Sequence, residues 1–207
     1  MRRTKQESEK TREDLLNAAV KIFSEKGVAR STLDEIAKAA NVSRGAIYWH
    51  FKNKTEMFDA LYERLNHPLI ERIMADLEKD HPEPQMQLRD LCVKLLLNLE
   101  EDEQIRQALI LFMLKCDYSG ELAAYKEKHN KTKKEKQKAF ARYFEKAREK
   151  GRLSCDVAPE TLAQMIGIFM KGMVIEYLDN PESFKMKDTA PKLIDLFFKN
   201  LGLTPNR

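Results

Sequence analysis

Between residues 41 and 58 the chain reads NVSRGAIYWHFKNKTEMF, which sets Arg44, Tyr48, His50 and Lys54 around a glycine and the only tryptophan, Trp49. These residue types suit contact with an anionic polymer. On a helix, positions 44 and 48 share one face. A guanidinium there can fork onto guanine O6 and N7, the commonest specific contact in the DNA major groove. A tyrosine hydroxyl four residues on can reach a phosphate while its ring touches a thymine methyl. His50 and Lys54 follow where a phosphate backbone would run. Gly45 costs a helix about 1 kcal/mol against alanine, a cost that makes sense where the backbone must approach a groove wall closely. The bulk of Trp49 suits a wedge between this helix and the core behind it.

Such a face needs short, well-terminated helices to aim it, and the flanking residues provide the signals. Thr32 and Glu35 have capping-box spacing, so a helix begins at Leu33 and buries Ile36, Ala37 and Ala40. Asn41 interrupts it, the residue most tolerant of positive φ after glycine. Ser43 caps the next helix. Two short capped helices joined by a tight turn form a helix-turn-helix, whose second helix enters the major groove. Ala37, Ala40 and Ala46 permit the close crossing, and Val42 and Ile47 fill its small core. Asn53 and Glu56 make a second capping box, opening a helix that buries Met57, Phe58, Leu61 and Leu65.

Upstream, residues 11–26 carry Leu15, Ala18, Ala19, Ile22 and Phe23 on one stripe, and Gly27 ends that helix. Downstream, Pro68 kinks the fourth helix or divides it in two, and HPEP at 81–84 is a break. Further helices are expected near 85–100, 103–115, 119–150, 159–179 and 189–201, with Gly151, Asn180-Pro181 and Gly202 at ends. With no strand alternation and no repeat, the fold class is all-α: a three-helix head on a larger helical core, about nine helices in all.

Composition narrows the function classes. The chain is 43% apolar and 34% charged with few glycines and prolines, the profile of a folded, soluble protein. Its net charge is +4, and residues 1–60 hold 12 lysines and arginines against nine acids, so most of the basic surplus flanks the motif. Three scattered cysteines point to reduced thiols and a cytoplasmic location. The charged N-terminus has no signal-peptide pattern, and apolar runs such as ALILFML are too short for a bilayer, so no membrane partner is expected. The four histidines have no metal-ligand spacing, and neither a phosphate loop nor a nucleophile motif is present. No enzyme activity, metal or cofactor is expected. The lysine-rich stretch 126–138 reads as a solvated helix face or loop.

The C-terminal two thirds carries two further signals. PETLAQMIGIFMKGMVIEYLD, 159–179, is apolar on nearly every side, and the last helix is rich in Leu193, Ile194, Leu196, Phe197, Phe198 and Leu201. Helices apolar all round must be covered all round, which predicts a homodimer through residues 159–201. In LILFMLKC, Phe112, Met113 and Cys116 could line an adaptable apolar cavity or fill an ordinary core.

The stretch GVARSTLDEIAKAANVSRGAIYWHFKNKTEMFDAL resembles the TetR family of bacterial transcriptional repressors. With RRTK near the N-terminus it is most similar to the multidrug-efflux repressors of the AcrR and TtgR type. The match is dense over residues 2–65 and departs at Asn41, where glycine is usual. The resemblance implies a DNA-binding domain at 1–65 and a ligand-binding and dimerisation domain at 66–207. It implies DNA contacts from Thr32, Ser43, Arg44, Gly45, Tyr48, His50 and Lys54. It favours a ligand pocket among Leu65, Leu95, Leu96, Leu99, Phe112, Met113, Cys116, Phe140, Met170 and Val174. The expected partners are a double-stranded palindromic operator and a small lipophilic or aromatic effector that releases the protein from it. The competing expectation is a helical ligand-binding or protein-interaction module with no operator of its own.

Overall fold

The computed structural model describes residues 5–79, 81, 83–151, 153 and 155–200, with side chains undescribed at 65–70, 72, 73, 76, 77, 84, 85, 121 and 200. Among the described residues there are nine α-helices and no strands: α1 (Lys5–Lys26), α2 (Leu33–Ala39), α3 (Arg44–His50), α4 (Lys54–Glu78), α5 (Pro84–Glu101), α6 (Glu103–Leu109), α7 (Ala123–Glu149), α8 (Pro159–Asp179) and α9 (Met186–Asn200). A π-helical turn, Ile110–Lys115, continues α6, and a 3-10 turn, Gly120–Leu122, leads into α7. The ends expected at Leu201 and Gly202 and the RRTK segment before Lys5 lie outside the described residues.

Local signals explain most boundaries. The capping box at Thr32 and Glu35 is formed on both sides. Gly27 ends α1 at φ +79°, where a Cβ would meet the carbonyl oxygen of Lys115 at 3.4 Å. Ser43 accepts from the Ala46 N–H at 3.2 Å. At the start of α4 the Glu56 N–H donates to Asn53, as expected, at 2.8 Å. The Glu56 carboxylate, however, accepts from the N–H of Lys52 and not from the cap residue itself. Four helix expectations need adjustment. Helix α1 starts six residues early, through a charged stretch of good helix formers. Helix 103–115 changes to a π turn after Leu109, burying the adjacent Leu111 and Phe112 together. Helix α9 begins at Met186 because Glu100, from α5, accepts from the N–H groups of Met186 (2.7 Å) and Lys187 (3.3 Å). Helix α4 runs unbroken from Lys54 to Glu78, so no new helix starts at Pro68.

The chain divides into two compact units: residues 1–67 with 104–128, and residues 68–103 with 129–207. The first unit thus includes a segment assigned from sequence to the second domain. Its core joins Leu15, Leu16, Phe23, Ile36, Ile47 and Phe58 to Leu111 and Phe112. The Phe58, Tyr62, Phe112 and Tyr125 rings meet edge to face. Arg64 ties α4 to α1 through Glu13 and Asn17, each at 2.9 Å.

In the second unit α5 and α9 are clamped at both ends. Glu100 caps α9, and Arg89 makes a forked pair with Asp195 at 2.7 and 3.3 Å. Hydrogen bonds to Asp195 and then Asp90 raise the Arg89 pKa. Helix α8 buries Leu162, Ala163, Ile166, Met173 and Tyr177 and stacks Phe169 on Phe197 of α9 at 4.7 Å. Its other side carries Met165, Ile168 and Ile175, with Ile168 65% exposed. Contrary to the expectation that every apolar stretch is too short, α8 is long and apolar enough, by length and composition alone, to cross a membrane.

Candidate nucleic-acid interface

Helix α3 has seven residues and buries one of them, Ile47. That single anchor fixes which face looks outward. Arg44 and Tyr48 lie on one exposed face, the guanidinium carbon 5.6 Å from the centre of the tyrosine ring. Two residues along a helix is about 200° of rotation, so Trp49 faces away from the core that Ile47 enters. It is 73% exposed, which corrects the expected wedge role. Its indole instead meets the half-buried His50 ring edge to face at 4.6 Å.

The turn before α3 sets its direction. Asn41 takes φ +54°, the only positive φ outside glycine among the described residues, so asparagine fills the role that glycine usually has in the resembling sequences. Its neighbours complete an open concavity lined by Asp34, Ala37, Lys38, Asn41, Val42, Ser43 and Arg44. Arg44 Nε lies 3.2 Å from Asp34 Oδ1, with both side chains mostly in solvent. An exposed pair of this kind is worth about 0–1 kcal/mol, so the arginine can be released to a base edge at little cost. Glycine at 45 has no steric reason inside the protein: a Cβ built there meets no atom within 4 Å.

The remaining contact candidates are held in different ways. Ser43 uses a lone pair on Ala46, leaving its O–H hydrogen for an acceptor. The Thr32 hydroxyl accepts from Glu35 N–H and donates to the Glu35 carboxylate at 3.1 Å, so the capping box already occupies it. Hydrogen bonds from Lys26, then from Thr32, hold the Glu35 carboxyl below its ordinary pKa. Lys54 is half-buried, and its ammonium donates to the carbonyls of Val28 and Ala29, both at 3.0 Å. It therefore braces the α1–α2 turn. Lys52, which sequence reasoning passed over, is exposed just beyond α3.

A family model described as bacterial regulatory proteins, tetR family, matches residues 15–61. A second, for the C-terminal region of MAATS-type transcriptional repressors, matches residues 83–203. The chain belongs to the TetR family. It is 32% identical over 206 residues to the HTH-type transcriptional repressor BepR of Brucella suis, covering 100% of this chain and 99% of that protein. The crystal structure of NalD, the secondary repressor of the MexAB-OprM multidrug efflux pump in Pseudomonas aeruginosa, superposes with a TM-score of 0.83 at 31% identity, over 95% of this chain and 98% of that one. A SmeT–triclosan complex superposes with a TM-score of 0.81 at 30% identity, over 92% and 90% of the two chains.

Within this TetR-family protein the ten pocket candidates divide between the compact units. Phe112 is buried in the first-unit core, with Met113 and Cys116 half-buried nearby in sequence. In the second unit Leu96 and Leu99 are buried, while Leu95, Phe140, Met170 and Val174 are half-buried. The side chain of Leu65 lies outside the described ones. A cavity of about 290 Å³ in the second unit is lined by Met74, Glu78, Ala139, Arg142, Tyr143 and Lys146, none of them among the ten. Burial pushes the Cys116 thiol up to about 11. Among the described residues no group of histidines, cysteines and acids could hold a metal.

Proposed function

We propose that this repressor works as a cytoplasmic dimer that places α3 of each protomer in the major groove of a palindromic operator, and that a small lipophilic or aromatic effector releases it. The observation that carries this reading is Gly45: a helix weakened by a residue its own fold does not require. The gain must come from outside the chain, and Arg44, Tyr48 and Trp49 surround it with groups suited to base edges and phosphates. Ser43, His50 and Lys52 would add backbone contacts. In this reading Thr32 and Lys54 act mainly by holding α2 and its entry turn in place.

The dimer surface is the outer side of α8 with Leu196 of α9. Its exposed isoleucines, methionine and leucine match what two helices per protomer would bury across a two-fold axis. The description of NalD as a repressor of an efflux pump, together with the triclosan complex of SmeT, supports control of a multidrug efflux operon and an effector-binding second unit lined by Leu95, Leu96, Leu99, Phe140, Met170 and Val174. Band shifts with the DNA upstream of the protein's own gene, with and without triclosan, test the proposal. The repressor reading requires a shift that fades with salt and is reversed by the ligand. A protein that binds triclosan but shows no preference for that DNA over a scrambled duplex would instead be the operator-free module.

A further inference from the structure

Helix α7 is crowded with lysines, and nearly all behave as a solvated face: Lys126, Lys131, Lys133, Lys134, Lys138 and Lys146 are exposed. Two are half-buried, and the difference between them is informative. Lys128 lies in the first unit, where its ammonium meets the Asp59 carboxylate at 2.7 Å and also contacts Glu63. Lys136 lies in the second unit, and among the described residues no carboxylate and no hydrogen-bond acceptor engages it.

Its register rules out an accidental inward tilt. Lys136 stands three residues before Ala139, seven before Tyr143 and eleven before Ala147, all of them buried, so it occupies the face of α7 that packs inward. His129, seven residues earlier, continues the same line and is half-buried. Burial lowers the pKa of Lys136. Burial, followed by the charges of Lys136, Lys171 and Lys133, does the same to His129, which brings the positive charge of α8 into the same neighbourhood. Phe140 follows one turn after Lys136, and Met170 and Val174 flank Lys171 on α8, all three half-buried. A lysine needed only for packing would be replaceable by methionine. A partly desolvated ammonium without a counter-ion adds little to the stability of the fold.

We infer that this face is an anion subsite, in which Lys136 receives the charged group of an amphipathic organic anion whose apolar body lies against Phe140, Met170 and Val174. The inference rests on the proposed effector function and narrows its chemistry. The ligand carries one acidic group, such as a carboxylate, at the end of an apolar chain or ring system. Charge-assisted hydrogen bonds in a partly dry site are the strong ones, so this group would contribute more than its size implies.

The test is calorimetric titration of the full-length protein at neutral pH with decanoate and decan-1-ol. Decanol is the more hydrophobic of the two, so a purely apolar cavity would prefer it. The subsite predicts that decanoate binds the native protein about tenfold or more tighter than decanol. Lys136→Met should lower decanoate affinity by about the same factor and leave decanol within about twofold. Lys136→Arg should retain the preference. The unliganded melting temperature of Lys136→Met should match or exceed that of the native protein, since the variant loses a half-buried, unpaired charge. Equal affinity for both ligands in the native protein, no decanoate binding at all, or decanoate binding that survives Lys136→Met would each overturn the inference. The native comparison needs no variant to fold, and none of these measurements contains DNA. Failure of operator binding would therefore strike the repressor reading alone, and loss of the anion preference would strike the subsite alone.

Discussion

Helices α3 and α8 both leave much of their surface unburied, and they expose opposite chemistry. Helix α3 buries only Ile47 and presents a guanidinium, a phenol, an indole and a bare glycine backbone. Helix α8 buries one side in its own unit and presents Met165, Ile168 and Ile175 on the other. A polar, aromatic face gains from a partner that offers hydrogen-bond acceptors and negative charge. An aliphatic face gains only from being dried. In one chain, therefore, exposure alone says little about function, while the kind of group exposed separates the face proposed for nucleic acid from the face proposed for a second copy.

The comparison breaks most readily at α8. Ile168→Glu puts a charge where the dimer reading requires dryness but the monomer is open. Folding should survive, and self-association should weaken by at least about a hundredfold, read by sedimentation equilibrium. Operator affinity should fall with it, because one head grips only half of a palindrome. Unchanged association would remove α8 from the interface. At α3 the expected effect is smaller. Arg44→Ala should cost about 1–3 kcal/mol of operator binding and relax preference at one position in each half-site, measured by anisotropy titrations with single-base operator variants. Uniform weakening on all sequences would make Arg44 a phosphate contact.

Lys54→Ala sharpens the division between contact and support. Losing its two carbonyl partners should destabilise the protein by about 1 kcal/mol, seen as a lower melting temperature, while the salt slope of DNA binding stays the same. A slope flatter by about one unit would restore Lys54 to the phosphate contacts. The smallest effect is the most diagnostic. Gly45→Ala should stabilise the protein by about 0.5–1 kcal/mol, because the new methyl meets nothing, and should at the same time weaken operator binding. A variant that is more stable and binds equally well would leave Gly45 unexplained.

Much of the helix-turn-helix region could be read from sequence because its determinants are local. Thr32 with Glu35, Ser43 with Ala46, and Asn41 at positive φ each act within four residues, and each is found where the spacing placed it. Trp49 was misplaced although the information was present: its offset of two from Ile47 already put it on the far face. Lys54 was different, since its acceptors lie 25 and 26 residues away. The early start of α9 depends on Glu100, 86 residues upstream. Helical periodicity cannot reveal partners at that range. In the lysine-rich stretch of α7 composition cannot single out Lys136, because its neighbours in sequence are nearly all exposed.

The central claim is that α3 of a dimer reads DNA, and hydroxyl-radical footprinting on the upstream DNA of the protein's own gene tests it most directly. The account predicts two protected half-sites with centres about one helical turn apart, present with the native protein, shortened or lost with Arg44→Ala, and weakened steeply as salt rises. Protection without two-fold symmetry, or no protection at concentrations where the protein is dimeric, would contradict it.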